Sequence, residues 1–195
     1  MYEIPTSITV NGKQFNIRNR GDYRVVLDCF NALCDTELTK QERIISTLII
    51  FFEDCNSVQD IRIFDDLETT IKEMYKFFNC GQTTLQGQHS DYRLLDWKTD
   101  EHLICSAINN VSHTEIRFEP YIHWWTFMGY YMAIGECPLS TIVNLRSKIV
   151  KGKKLEKYEK EFIQNNSQYF SGDYRSLETI EADKEIRQLW NKNKK

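Results

Sequence analysis

The sequence predicts a mainly α-helical domain with a small N-terminal β-hairpin. Three observations carry this. Asn11-Gly12 stands between two short alternating stretches, Ile8 with Val10 and Phe15 with Ile17, and Asn-Gly supplies the two positive φ values of a type I′ turn. From Asp22 onward the apolar residues recur at three- and four-residue spacing instead. Three prolines and eight glycines in 195 residues are too few for a fold built from many tight turns.

A lone hairpin is marginal in water, so residues 7–18 must lay one face on the helices that follow. Asp22 is placed to cap a first helix carrying Val25, Val26, Cys29, Phe30 and Leu33. Thr39 and Glu42 make a capping box for a second, 40–53, with Ile44, Ile45, Leu48, Ile49 and Phe52 as its stripe. Ser57 opens a longer third helix along Ile61, Phe64, Leu67, Ile71, Met74, Tyr75 and Phe78. Asn79, Cys80 and Gly81 close it, the glycine as a left-handed cap.

Residues 81–95 are polar and without period, and read as a mobile connector. It separates an N-terminal lobe, 1–80, from a C-terminal helical lobe, 96–172, within a single domain spanning 1–172. In the second lobe Asp96 caps a helix with Trp97, Ile104, Ala107, Ile108 and Val111 on one side. Pro120 precedes an aromatic helix, 122–134, which Gly135 ends. Pro138 falls in the first turn of the next helix, carrying Leu139, Ile142, Val143 and Ile149. Gly152 interrupts it, and Leu155, Tyr158 and Phe162 continue a stripe to about residue 166. The remainder, 173–195, is a charged tail in which Leu177, Ile180, Ile186, Leu189 and Trp190 give at most a weak amphipathic helix.

At this length a core forms without disulfides or metal, since such a chain buries roughly 70% of its unfolded surface. The net charge of −3 gives no global pull toward nucleic acid or membrane. The apolar runs at 49–52 and 124–134 are shorter than the ~20 residues needed to span a bilayer. The start, Met-Tyr-Glu-Ile-Pro, has neither the basic region nor the apolar stretch of a signal peptide. Cys29, Cys34, Cys55, Cys80, Cys105 and Cys137 form no close pair, and are expected as buried free thiols in a reducing cytoplasm.

Signs of chemistry are sparse. His89, His102, His113 and His123 lack ligand spacing. His113-Thr114-Glu115 matches half of the zinc deaminase pattern, without the second half. There is no nucleophile elbow and no phosphate-binding loop. The acidic pairs Asp65-Asp66 and Asp100-Glu101 read as solvated surface. No enzyme activity and no cofactor is expected. The aromatic helix has two readings, a central core helix or a ligand pocket lined by Trp124, Trp125, Phe127, Tyr130 and Tyr131. In the core reading Gly129 admits a close neighbouring helix. The basic run of Arg146, Lys148, Lys151, Lys153, Lys154, Lys157 and Lys160 is either a docking patch for an acidic partner or a solvated helix face. Nucleic acid fits less well, because no exposed stacking aromatics accompany the lysines.

Several short motifs follow one another in order. They are Leu95-Asp96-Trp97, His123-Trp124-Trp125-Thr126-Phe127, Met132 to Cys137, Ser140 to Val143, Arg146, Lys151 to Leu155, and Glu161-Phe162. With the Asn-Gly strand pair they resemble the bacteriophage gp-fifteen family of tailed phages and prophages of Gram-positive bacteria. The resemblance covers most of 1–166 and is densest over 95–162. It leaves out the connector and the tail. It implies a protein encoded in the tail morphogenesis region, acting in the host bacterial cytoplasm as a tail assembly chaperone. Its partners would be the tape measure protein and other tail proteins, or a second copy of itself. The alternative is a structural or adaptor component retained in the tail. The family supplies no catalytic residues. Its motif residues Trp97, His123, Trp124, Trp125, Phe127 and Gly135 are assigned to the core, and Arg146, Lys148, Lys151, Lys153, Lys154 and Lys157 to partner contact.

Overall fold

The computed structural model describes residues 3–82, 92–176 and 179–180. Among them the fold is mainly α-helical with one two-stranded sheet. β1 (Ser7–Val10) and β2 (Lys13–Asn16) pair antiparallel, in register from Ser7 with Asn16 to Val10 with Lys13. Asn11 and Gly12 hold φ of 50° and 81°, the two left-handed positions an Asn-Gly turn provides. Ile8, Val10 and Phe15 are buried, so the hairpin does cover its inner face.

α1 (Tyr23–Leu33) and α2 (Lys40–Phe51) start where the capping residues placed them. Asp22 accepts the Arg24 amide, and Thr39 and Glu42 bond each other's backbone reciprocally. The buried side of α2 is Arg43, Thr47, Leu48 and Phe51, rotated by one residue from the Ile44, Ile45, Ile49 stripe. Polar residues can occupy that side because they are satisfied within it. Arg43 donates to the Asp35 carbonyl, and the Thr47 hydroxyl donates to the Arg43 carbonyl at 2.7 Å.

The third helix is not continuous. Residues 58–63 form a 3₁₀ segment, and α3 (Leu67–Phe78) begins afresh. Asp66 causes the break by capping α3, its carboxylate accepting the Thr69 amide at 3.0 Å. Asp66 therefore holds a helix end, and is not merely half of a solvated acidic pair. α3 ends as expected, with Cys80 and Gly81 left-handed at φ 55° and 83° and the Gly81 amide returning to the Lys76 carbonyl.

α4 (Glu101–Ser112) starts later than Asp96. Asp96 instead holds the preceding turn, accepting the amides of Lys98 and Thr99. α5 (Trp124–Met132) is shorter than 122–134, capped by His123 and ending at Ala133. Gly129 is exposed, with nothing within 4 Å of where a Cβ would stand, so it serves no close helix contact. α6 (Pro138–Val150) opens with its proline and a Cys137–Ser140 capping box. Gly152, at φ 60°, sits in the break before α7 (Lys157–Asn165).

The chain divides into two compact units interleaved in sequence, Met1–Gln86 with Ile104–Ile134 and Gly87–Leu103 with Gly135–Lys195. The first holds the hairpin, α1 to α3, most of α4, and α5. The second holds α6 and α7. Residues 83–91 of the expected connector, and 177–178 and 181–195 of the expected tail helix, lie outside the described residues. All six cysteines are free thiols; Cys29, Cys55 and Cys105 are buried and the other three half-buried.

Candidate functional site

In the first unit the motif around α5 is architectural. Trp124 and Phe127 are each 1% exposed. Phe127 stacks on Tyr23 with ring centroids 4.5 Å apart. The adjacent indoles divide one task. Trp124 donates to the Phe78 carbonyl and Trp125 to the Phe77 carbonyl, both at 2.9 Å. These carbonyls belong to the last turn of α3, where intrahelical donors run out. Trp124 thus satisfies a carbonyl at the helix end, and Trp125 adds a second donor to the Phe77 carbonyl, which also accepts the Cys80 amide at 3.0 Å. This favours the core reading of the aromatic helix over the pocket.

His123 closes the start of α5. Its Nδ1 accepts the Trp125 amide at 3.0 Å, so that nitrogen carries no proton and the ring is neutral. Nε2 then donates to the Pro5 carbonyl at 3.0 Å. Burial, only partly offset by the Pro5 bond and Asp22, lowers the histidine pKa. Trp97 and Trp125 are half-buried. Gly135 is exposed and beyond the helix end. Its core assignment is corrected, because α5 stops before reaching it.

In the second unit Arg146 departs from the basic run. It is 3% exposed, since it shares the inward side of α6 with Leu139, Ile142 and Leu145. Its guanidinium grips Asp100 in bidentate fashion at 2.6 and 2.9 Å. It also donates to the carbonyls of Tyr169 and Leu94, and Tyr174 covers its face at 5.1 Å. Burial works against the Arg146 charge, but the Asp100 carboxylate more than offsets this and its pKa is raised. Arg146 is therefore no contact residue, and Asp100, read as solvated, is fully enclosed. A guanidinium among apolar neighbours needs such a partner, because an unpaired buried charge is far costlier than a pair.

The lysines do stay at the surface. Lys148 is half-exposed and bonds Glu159 at 2.6 Å. That bond raises the lysine pKa and holds the Glu159 carboxyl below its usual range. Glu159 also accepts the Glu156 amide at the start of α7, so one carboxylate ties the two helices together. Lys151, Lys153, Lys154 and Lys157 are exposed and make no ion pair among the described residues. Of these, Lys153 lines a groove of about 540 Å³ between α6 and α7, which the Lys148–Glu159 pair also lines. Leu145, Tyr158 and Phe162 give it apolar lining, with Thr141 and Asn144 on the α6 side and Lys148 and Lys153 beside them. Such a site can take an apolar side chain that has acidic neighbours.

Sequence reasoning points to grooves between the C-terminal helices as the client contact, but does not name the residues that line this one. It places Tyr158 in an apolar stripe, and Tyr158 is 70% exposed. The available signal is Thr141, Asn144 and Lys148 at i, i+3 and i+7, a narrow polar face beside the buried one. Among the described residues no group of three or more histidine, cysteine or acidic side chains is placed to hold a metal ion. No helix among them is long and apolar enough to cross a membrane.

A family model described as Bacteriophage Gp15 protein matches residues 1–171. No curated protein and no solved structure matches the chain. The family match runs from the hairpin through the groove-forming helices α6 and α7, and the chain belongs to this bacteriophage family.

Proposed function

We propose that the protein is a tail assembly chaperone, binding the tape measure protein, tail tube subunits or both by non-covalent contact during tail morphogenesis. Family membership supports work alongside other phage proteins. The observation that carries the finer reading is the α6–α7 groove, with apolar lining and Lys153 in its wall, next to Lys151, Lys154 and Lys157, which are exposed and make no ion pair among the described residues. An amphipathic helix can lay its apolar side into such a groove. Acidic residues flanking that side would meet the lysines, which steer encounter and fix register more than they add affinity. Contacts of this kind exchange readily and involve no bond chemistry, so the protein acts as a holdase in the host bacterial cytoplasm and not as an enzyme.

The test is co-expression with the tape measure protein encoded in the same genome, followed by pull-down and a solubility assay. A soluble complex is expected where the tape measure protein alone is insoluble. Combined Lys151→Glu, Lys153→Glu and Lys154→Glu should weaken it about tenfold or more at low salt. If no complex forms and the protein is instead recovered in purified virions, it is a structural or adaptor component of the tail.

A further inference from the structure

The first unit has a cleft of its own, of about 530 Å³, lined by Ile4, Arg20, Glu119, Tyr121 and Tyr130 among others. Ile4 and Tyr121 are exposed there, and Phe118, next to Glu119 in the chain, is 88% exposed. Scattered exposed apolar residues are ordinary, but a cluster about a cleft marks a contact surface. Phe118 is not exposed through slackness. Ile116 is fully enclosed, Arg24 donates to the carbonyls of Ile116 and Glu119 at 3.2 and 2.7 Å, and the Phe118 amide donates to the Glu115 carbonyl at 2.9 Å. The loop is fastened on both sides of a ring that it holds outward. A rigid aromatic of this kind is the usual anchor of a protein interface.

Arg20 is positioned as deliberately. Asn19, Arg20 and Gly21 are left-handed in succession, at φ 48°, 55° and 78°, a backbone that residues with a Cβ adopt only at a cost. The Tyr121 hydroxyl holds the turn by donating to the Arg20 carbonyl at 3.0 Å, and the Arg20 guanidinium lies 6.0 Å above the Tyr121 ring. Strained turns of this sort gather where a protein clamps something. The Arg20 guanidinium and the Glu119 carboxylate line the same cleft, yet neither makes an ion pair or a hydrogen bond among the described residues.

The occupant that fits must bring an apolar ring for the cleft, a carboxylate for Arg20 and a cation for Glu119. This face carries all three itself, side by side. A surface with knob and socket next to each other is complementary to its own copy about a two-fold axis. We propose that this face joins two copies of the chain, with Phe118 of each entering the cleft of the other and Glu119 of each meeting Arg20 of the other. Symmetry makes every contact twice. Two copies also bring two α6–α7 grooves to one client and so bind it by avidity; that consequence alone rests on the chaperone reading, and the dimer does not.

The experiment is sedimentation equilibrium of the full chain, with no client present, so its outcome is separate from that of the pull-down. The unaltered chain should be dimeric at about 50 μM and dissociate on dilution. Phe118→Asp should weaken the dimer about a hundredfold or more, because one substitution removes two anchors. Arg20→Glu and Glu119→Arg each set like charges across the axis and should each weaken it about tenfold or more at low salt. The two single variants mixed in equal amounts should associate again, since the charges across the axis are then opposite. Mixing decides the matter, because a pair formed within one chain could not be restored by a second chain. A chain that is monomeric at about 50 μM overturns the proposal. So does a dimer that survives Phe118→Asp, or a mixture that stays monomeric. If the chain is monomeric and Phe118→Asp instead lowers recovery of the tape measure protein, the face belongs to the client and the dimer is discarded.

Discussion

In the first unit the largest enclosed side chains are rings, among them Trp124, Phe51, Phe52 and Phe127. Phe51 alone meets Phe52, Phe77 and Phe78 at centroid distances of 5.0–5.4 Å. In the second unit the enclosed centre is an ion pair, Asp100 with Arg146, set beside Leu139, Ile142 and Leu145. The two centres fail in different ways. Removing a ring loses that ring's own contacts and leaves a cavity. Removing one ion strands the other in a place where water cannot reach it.

The largest expected effects test that contrast directly. Trp124→Ala should destabilise by about 3–5 kcal/mol, and Arg146→Met by about 3–5 kcal/mol, both read by urea denaturation. They should part company on rescue. Adding Asp100→Leu to Arg146→Met removes the stranded carboxylate and should bring the loss down to about 1–2 kcal/mol, the remainder being the unsatisfied carbonyl of Leu94, since the Tyr169 carbonyl keeps the Tyr174 hydroxyl. Trp124→Ala has no partner whose removal restores it. A double mutant as unstable as Arg146→Met alone would show that shape, and not charge pairing, organises the second unit.

A smaller effect separates crowding from backbone strain inside the first unit. Gly21 has φ +78°, and a Cβ there would stand 2.8 Å from Phe77 Cζ. Gly12 has φ +81° and open space around it. Gly21→Ala should cost about 2–3 kcal/mol, strain plus overpacking. Gly12→Ala should cost about 1 kcal/mol, strain alone. Equal losses would mean that the Phe77 ring moves aside freely, and that ring packing in this unit is looser than its distances suggest.

What could be foreseen from sequence follows the same division. Asn11-Gly12, Asp22, and Thr39 with Glu42 are local devices; each acts within a few residues, so their outcome is written in adjacent letters. Asp100 and Arg146 are 46 positions apart, and nothing in either neighbourhood announces the other. Arg146 even sits in a lysine-rich run, which disguises it as surface. Arg18 is a further case. Its guanidinium gathers the carbonyls of Ile49, Ile50, Phe52 and Cys55 at the end of α2, a cap supplied from more than 30 residues away. The lining of the groove is hidden for a related reason, because a stripe analysis locates what is buried and not the space left beside it. The motif tryptophans were correctly placed on one short helix, yet their pairing to successive α3 carbonyls needed the fold.

His123 joins the first unit's ring packing to a titration. Its folded pKa lies below the ordinary 6.5, with burial the main cause and Asp22 the charged neighbour opposing it. The unfolded chain therefore takes up the proton first as pH falls. The stability owed to neutral His123 is complete above about pH 6.5 and is lost as pH drops toward the folded pKa. Glu42, Asp60, Asp66 and Glu115 have pKa values lowered from already acidic ones, so their contributions fade at lower pH. Denaturation at pH 7.5 and pH 5.5 should show the difference. His123→Ala should cost about 1 kcal/mol at pH 7.5 through the lost cap. His123→Asn keeps a capping side chain and should flatten the slope between the two pH values. A slope that survives His123→Asn would place the titrating group elsewhere.

The smallest stability effect belongs to the lysines, and it discriminates between contact and architecture. Exposed and without ion pairs among the described residues, Lys151, Lys153 and Lys154 should each change to serine within about 0.5 kcal/mol. Client binding in the same variants should fall, and the fall should shrink as salt rises, since charges at a surface are screened beyond about 8 Å at physiological ionic strength. Arg146→Met should behave in the opposite manner, with a large stability loss that salt hardly alters because Asp100 and Arg146 are shielded from ions. A loss above about 1 kcal/mol for any of the three lysines would make that residue part of the scaffold. The cationic border would then be a by-product of helix packing, and the groove would have to select its partner by shape alone.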